Sequence, residues 1–269
     1  MNWPQRIICM TEETVETLYL LGEQDRIAGI SGFTVRPPQA RKEKPKVSAF
    51  TSANIPKILD LKPDLVLGFS DLQADIAAEL IRAGIEVYVL NHRDVAGILR
   101  MIQTLGRLVD APLAADQLAS SYQCKIDDMR ALTDTWAVKP RVYFEEWYDP
   151  IISGIGWVSE LIEIAGGIDC FAENAKHQGG KQRIVADPLT VVERAPDIII
   201  GSWCGKKFHP NKVGERQGWQ DVPAVKTNHV FEIKSAYILQ PGPAALTDGL
   251  DQLFDITSNW VKQQSHSGE

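Results

Sequence analysis

Cysteine and histidine side chains are the first candidates for chemistry in this 269-residue chain. Thiolate and imidazole groups favour zinc, copper or iron, and Cys9, His92, Cys204 and His209 carry such groups. Their spacing has no metal-binding signature, and none of the four cysteines belongs to a CxxC pair. We therefore predict no metal site. We interpret Cys9 and Cys204 as small buried residues at strand ends and His92 and His209 as solvated loop residues, and we expect all four cysteines to be reduced.

A nucleotide-binding or nucleophilic role is suggested by the segment 201–207, Gly-Ser-Trp-Cys-Gly-Lys-Lys. A phosphate loop needs four residues between its glycines, but this segment has three, and Lys207 stands where Ser or Thr would bind magnesium. The lysines could activate the Cys204 thiolate, but no Cys-His-acid set is evident. Glu145 and Glu146 are adjacent on a predicted strand and point to opposite sides, so they cannot serve one substrate as acid and base. We predict no catalytic residue.

The elements that position these residues occur twice along the chain. Arg-Ile-Ile-Cys at 6–9 returns as Arg-Val-Tyr-Phe at 141–144, and Pro-Asp-Leu-Val-Leu-Gly at 63–68 returns as Pro-Asp-Ile-Ile-Ile-Gly at 196–201. These short apolar runs are typical of buried strands. Asn54 and the equivalent Asp187 are predicted to cap the helices that precede the second strand of each pair.

Each half of the chain alternates strand and helix, which predicts an α/β fold with two similar lobes, each a parallel sheet flanked by helices. Apolar residues between the halves recur at helical spacing, and they predict one long rigid helix joining the lobes, from Pro112 to Thr133. The predicted divisions are an N-terminal lobe at 1–93, a helical segment at 94–135 and a C-terminal lobe at 136–269. Two such lobes predict a ligand cleft between them.

Composition excludes several classes of partner. The formal net charge of −7 and the pI near 5.3 argue against binding to nucleic acid or to an anionic membrane surface. No apolar run approaches the ~20 residues of a membrane-spanning helix. The first residues lack the basic head, apolar segment and cleavage site of an export signal, so we expect either a cytoplasmic chain or a removed leader. We expect a monomer.

Five segments resemble a known protein family. They are Thr11-Glu12 after the first strand, Lys46-Val47, the run 54–68, the run Trp157–Ile162 with Ala165-Gly-Gly167, and Pro196–Ile200. They resemble the solute-binding proteins of ABC importers for cobalamin and ferric siderophores, with a leaning toward the cobalamin-binding branch. The resemblance extends from Arg6 to about Trp260. It implies a two-lobed fold with a helical backbone, a periplasmic location and a cleft that holds the ligand.

The same resemblance implies that an acidic residue on each lobe docks onto basic pockets of a membrane permease. The acidic residues that follow strand ends are Asp71 or Asp75 in the first lobe and Glu215 in the second. These are the candidate docking residues.

The candidate ligand-binding residues follow from the rule that open α/β sheets present ligand loops at the carboxyl ends of their strands. A corrin or a siderophore chelate is large and flat, so its site needs broad aromatic faces with a few fixed polar groups. For any single aromatic residue the alternative is a place in the core. The candidates are Cys9, Thr11, Phe33, Phe50, Phe69, Glu145, Trp147, Trp157, Trp203, Cys204 and Tyr237.

We therefore interpret the chain as a non-enzymatic binding protein that captures a corrinoid, for ABC-type uptake. The corrinoid would be a ligand and not a catalytic cofactor. A receptor for a ferric siderophore or a haem-like chelate is the alternative. A metal-ion-binding protein or a Cys-dependent enzyme on the same fold comes third.

Overall fold

The computed structural model describes residues 3–266, and their contacts cluster into two compact units. The first unit contains the chain up to His92, together with Ala96–Tyr122 and Pro241–Pro243. The second contains Arg93–Val95, Gln123–Gln240 and the chain from Ala244 onward. No helix among the described residues is long and apolar enough to cross a membrane.

The first unit is built on a five-stranded sheet in which every pairing is parallel. Its strand order, β3-β2-β1-β4-β5, places the first strand at the centre, where its residues are wholly buried. Buried on both faces, the central strands consist of β-branched and other apolar residues without alternation. The strands are β1 (Ile7–Cys9), β2 (Ile27–Ser31), β3 (Lys46–Ser48), β4 (Leu65–Phe69) and β5 (Val87–Leu90).

Helices alternate with these strands, as the sequence predicts. Asn54 caps its helix as expected, because its side-chain oxygen accepts a hydrogen bond from the Lys57 amide. Short 3-10 turns occupy Gln24–Arg26 and Asp71–Gln73. The helices are α1 (Glu12–Leu20), α2 (Ala40–Glu43), α3 (Ile55–Asp60), α4 (Ala74–Arg82) and α5 (Val95–Leu108).

The long helix predicted between the two halves is present. This helix, α6, spans Pro112–Thr133, the predicted bounds, and it is 22 residues long. Its first residue is a proline, whose missing amide hydrogen costs nothing in the first turn of a helix. The boundary between the two contact units falls inside it, after Tyr122.

The second unit is built on another five-stranded sheet, with one departure from the parallel arrangement. Strand β7 pairs with β6 antiparallel, whereas the other pairings are parallel. Only Asp149 and Pro150 separate these two strands, and two residues can make a hairpin turn but not a crossover. The strands are β6 (Arg141–Tyr148), β7 (Ile151–Ser153), β8 (Ile168–Asp169), β9 (Ile198–Gly201) and β10 (Val230–Glu232).

Short helices and turns surround this sheet, and a long helix ends the described chain. The helices are α7 (Gly156–Ile164), α8 (Ala172–Ala175), α9 (Leu189–Glu193), α10 (Pro223–Lys226), α11 (Ser235–Ile238) and α12 (Leu250–His266). The 3-10 turns are Gly180–Arg183, Pro210–Lys212 and Trp219–Asp221, and a π-helical turn spans Ala245–Gly249.

The internal repeat is confirmed at the level of strand register. Ile7 of β1 lies opposite Leu65 of β4, and Val142 of β6 lies opposite Ile198 of β9. These are the residue pairs that the repeated motifs align. The two units therefore place equivalent strand ends at equivalent positions within their own sheets.

Candidate ligand-binding surfaces

In the first unit, the end of β1 is buried. Cys9 is fully buried, and burial raises the pKa of its thiol to about 12, so the thiol stays protonated at neutral pH. Thr11 is 3% exposed, and its hydroxyl donates a 2.5 Å hydrogen bond to Glu13 Oε1. Among residues 3–266 no cluster of three or more His, Cys, Asp or Glu side chains is arranged to hold a metal ion.

Three glutamates at the start of α1, Glu12, Glu13 and Glu16, are buried, and sequence reasoning did not identify this group. Glu12 Oε2 accepts hydrogen bonds from the amides of Val35 and Arg36. Glu16 forms a 2.9 Å ion pair with the Arg36 guanidinium. Burial raises the pKa of both Glu12 and Glu13 to about 7. These contacts tie the first two turns of α1 to the loop that carries Phe33.

Three phenylalanines lie at or just after strand ends in this unit, and they differ in exposure. Phe33, after β2, is 62% exposed. Phe50, after β3, is half-buried. Phe69 ends β4, is 6% exposed and meets the His92 ring edge-on, with ring centroids 5.4 Å apart. Phe33 and Phe50 thus expose aromatic surface, whereas Phe69 supports its neighbours.

The two candidate docking acids of this unit lie just beyond Phe69. Asp71 begins the 3-10 turn and Asp75 lies in the first turn of α4, and both are exposed. Leu72, between them, is 59% exposed. Ser70 Oγ accepts a hydrogen bond from the Leu72 amide, which fixes this turn.

In the second unit, the Glu145 carboxylate is fully buried, and each of its two oxygens accepts two hydrogen bonds. It forms a two-pronged ion pair with Arg216, with Nη1–Oε2 and Nη2–Oε1 distances of 2.6 and 2.8 Å. The Trp203 indole donates to Oε1 at 3.2 Å, and the Tyr143 hydroxyl donates to Oε2 at 3.0 Å. Glu146 pairs instead with Arg183, so the two glutamates have different partners.

A row of aromatic rings runs along the end of this sheet. The ring centroids of Trp147 and Tyr148 are 5.2 Å apart, those of Tyr148 and Trp203 are 4.5 Å apart, and those of Trp203 and Phe208 are 5.0 Å apart. Trp147 and Tyr148 are partly exposed, whereas Trp203 is 8% exposed and Phe208 is fully buried. The Lys206 ammonium lies 4.1 Å from the centre of the Tyr148 ring.

The remaining candidates of the second unit are distributed between core and surface. Trp157 is 2% exposed, and its indole donates a 2.8 Å hydrogen bond to the Ile238 carbonyl. Tyr237, in α11, is half-buried, and Cys204 is exposed. Glu215, the candidate docking residue, is exposed and directly precedes Arg216 in the chain.

Sequence reasoning missed three polar side chains that hold these surfaces in place. Gln73 and Arg183 are buried, and Arg216 is partly buried. Each pairs with a residue distant in sequence, and no local motif marks such a pairing. A general signal was present, because an arginine that must be buried needs a carboxylate partner, and Glu145 and Glu146 offered two.

The protein consists of two α/β units, each with aromatic and polar side chains at the carboxyl ends of its strands. This arrangement is typical of ligand-binding proteins. The chain belongs to the periplasmic binding protein family, whose model matches residues 7–237. It is a solute-binding protein.

Relatives agree with this assignment, and a solved structure has the same fold. An uncharacterized ABC transporter substrate-binding lipoprotein of Bacillus subtilis is 27% identical over 258 residues, which cover 94% of this chain and 79% of the relative. A vitamin B12-binding protein of Vibrio campbellii is 27% identical over 243 residues, which cover 88% and 84%. The structure of a periplasmic heme-binding protein from Roseiflexus shares the fold, with a TM-score of 0.79, 21% identity and coverage of 94% and 98%.

Proposed function

We propose that this protein is the solute-binding component of an ABC importer and that its ligand is a corrinoid. The observation that carries the proposal is the aromatic row Trp147–Tyr148–Trp203, which offers partly exposed ring faces at a strand end of the second unit. Planar macrocycles are held by such faces, with a few polar groups fixing their orientation. Relatives named as vitamin B12-binding proteins support the corrinoid, and a relative named as an ABC transporter lipoprotein supports the importer.

Exposure divides the candidate residues into two proposed roles. Side chains with exposed surface would touch the ligand, and wholly or nearly buried ones would support them. The proposed contacts are Phe33, Phe50, Trp147, Cys204 and Tyr237, and the proposed supports are Cys9, Thr11, Phe69, Glu145, Trp157 and Trp203. The position of the ligand between the lobes stays a prediction of the sequence.

A haem-like or ferric-siderophore chelate is the second candidate ligand. Haem is also planar, so the same aromatic faces suit it, and a heme-binding protein shares the fold. Both candidates make the chain a binding protein and not an enzyme. We also propose that it works outside the cytoplasmic membrane, where Asp71, Asp75 and Glu215 would meet a permease. Fractionation of the native host tests this location, and recovery with cytoplasmic markers alone would contradict it.

Visible absorbance during gel filtration tests the ligand. The purified chain is mixed separately with cyanocobalamin, hemin and ferrichrome, and the protein peak is inspected for each chromophore. We expect cyanocobalamin to co-elute with shifted visible bands and to quench tryptophan fluorescence, because the proposed contacts include Trp147. Co-elution of hemin or ferrichrome alone would select the alternative. Failure of all three to co-elute would contradict the proposed ligand class.

A further inference from the structure

The segment 203–212 between β9 and the following turn is cationic in an acidic protein. It contains Lys206, Lys207, Lys212 and His209 but no acidic residue, whereas the chain as a whole has a net charge of −7. The three lysines and His209 are exposed. None of these three lysines forms an ion pair with a carboxylate within the described part of the chain, where the lysine ion pairs are made by other lysines. Asp149, which follows Tyr148 in the sequence, is likewise not paired with any of the three. Their charge is therefore available to a ligand.

The segment is held in a defined conformation at both ends. Trp203, at its start, donates to Glu145, and Arg216, beyond its end, pairs with the same carboxylate. Phe208, in its middle, is fully buried against Gly201, where a Cβ atom would collide with the ring. The Phe208 amide donates a 2.9 Å hydrogen bond to Glu232 of β10. An ordered segment loses little entropy when its exposed side chains bind a ligand.

These anchors place one lysine at the aromatic row. The Lys206 ammonium donates to the Tyr148 hydroxyl and lies over the Tyr148 ring, which is in contact with Trp147 and Trp203. A cation over an aromatic face keeps its remaining hydrogen-bond donors free for an anion. A planar ligand on the Trp147–Tyr148 surface would therefore bring its edge substituents to this ammonium.

We propose that Lys206 determines ligand specificity by binding an anionic substituent, a phosphate or a carboxylate, at the edge of a planar ligand. This inference rests on the proposed function, which names the ligand class but not its charge. Glu145 and Arg216 act as positioning residues, because they hold the segment without touching the ligand. The neighbouring lysines Lys207 and Lys212 add to the local positive potential.

Ligands that differ in charge test the proposal. Cyanocobalamin carries a phosphodiester in its nucleotide loop, dicyanocobinamide lacks that loop, and hemin carries two carboxylates. Lys206→Gln should weaken binding of cyanocobalamin or hemin about threefold to fivefold, as loss of one partly exposed charge pair does, and should leave dicyanocobinamide within about twofold. Lys176→Gln, which removes an exposed lysine elsewhere in the second unit, is the matched control and should change none of the three.

A measurement without ligand separates failure of this proposal from failure of the proposed function. Iodide is an anionic quencher of tryptophan fluorescence and acrylamide is a neutral one. If Lys206 raises the positive potential beside Trp147, the ratio of iodide to acrylamide quenching falls in Lys206→Gln and not in Lys176→Gln. An unchanged ratio, or an equal loss of affinity for dicyanocobinamide, overturns the proposal. If no probe binds the unmodified protein, the proposed ligand class fails. The quenching ratio alone then decides whether Lys206 creates a positive potential beside Trp147.

Discussion

Gln73 and Phe50 are joined by a 2.9 Å hydrogen bond from the Gln73 side-chain Nε2 to the Phe50 carbonyl oxygen. The Oε1 atom of the same side chain accepts a 2.9 Å hydrogen bond from the Phe69 amide. Gln73 is fully buried. One side chain thus fixes the backbone that follows β3 and the backbone that ends β4, and each of these segments carries a candidate aromatic residue.

Replacing Gln73 should loosen both segments. Gln73→Leu removes both hydrogen bonds and leaves the partly buried Phe50 carbonyl and the buried Phe69 amide without these partners, which should lower the free energy of unfolding by about 1–3 kcal/mol. Urea denaturation measures this. Gln123→Leu, at an exposed position of α6, is the control and should change stability little. A Gln73→Leu protein as stable as the original would show that water or neighbouring groups replace both bonds.

Loss of the Arg216 guanidinium should be costly, because it leaves the fully buried Glu145 carboxylate without its cation. Arg216→Met should lower the free energy of unfolding by about 3–5 kcal/mol. Arg183→Met, which breaks the neighbouring ion pair with Glu146, provides the comparison. Both variants should lose stability in urea. Only Arg216→Met should speed amide hydrogen exchange in the segment 203–212, and equal exchange in the two variants would remove Arg216 from its positioning role.

Stability should decrease as pH rises from about 4.5 to about 7. Burial raises the pKa of Glu12 and Glu13 from 4.5 to about 7, so the folded protein keeps protons that the unfolded chain has already released. The unfolded chain therefore binds fewer protons in this interval, and the free energy of unfolding falls with rising pH. Neighbours that face these carboxyls include Glu16, Arg36 and Thr11.

A Glu13→Gln variant isolates this contribution. Its amide keeps the acceptor for the Thr11 hydroxyl and has no charge to bury, so the variant should be more stable than the original protein above pH 7 by about 1–3 kcal/mol. Urea unfolding at pH 5 and pH 8 measures the difference. Unfolding free energies that rise from pH 5 to pH 8 in parallel for both proteins would contradict a raised carboxyl pKa at this position.

The sequence predicted the fold more completely than the candidate surfaces, and the reason is physical. Repeated apolar motifs determine strands locally, so the strands that contain Ile7 and Leu65 could be matched in the sequence to those that contain Val142 and Ile198. The hairpin was missed because β6 continues through the polar residues Glu145 and Glu146 to Tyr148, beyond its apolar run. The partner of Glu145 lies 71 residues away at Arg216, and no periodic pattern indicates such a pairing.

Two tryptophans of the aromatic row should respond differently to truncation. Trp147 is partly exposed, so Trp147→Ala should weaken corrinoid or haem binding by about 1–3 kcal/mol and change stability little. Trp203 is 8% exposed and is packed against Tyr148 and Phe208, so Trp203→Ala should cost about 3–5 kcal/mol of stability. Fluorescence titration and thermal unfolding separate the two effects. Unchanged affinity in Trp147→Ala would exclude this residue from the contact surface.

The exposed acids supply the last prediction, which concerns docking to a permease. Asp71 and Glu215 are exposed. Asp71 lies two residues after Phe69, which ends β4, and Glu215 directly precedes Arg216, which pairs with Glu145. If they dock by charge complementarity, the double variant Asp71→Lys and Glu215→Lys should be recovered much less from membranes of the native host than the original protein. Affinity for the ligand should not change, because neither side chain belongs to the proposed contacts.

Salt and a second pair of substitutions show whether the loss is specific. Exposed charges are screened by salt, so recovery of the original protein should itself decrease as ionic strength rises from about 0.05 to 0.5 M. Asp127→Lys with Asp134→Lys changes the net charge by the same amount at two exposed residues, one in α6 and one directly after it, and should leave recovery unchanged. Equal loss in both double variants would mean that total charge, and not these two acids, governs association. Equal recovery of all three proteins would leave docking through Asp71 and Glu215 without support.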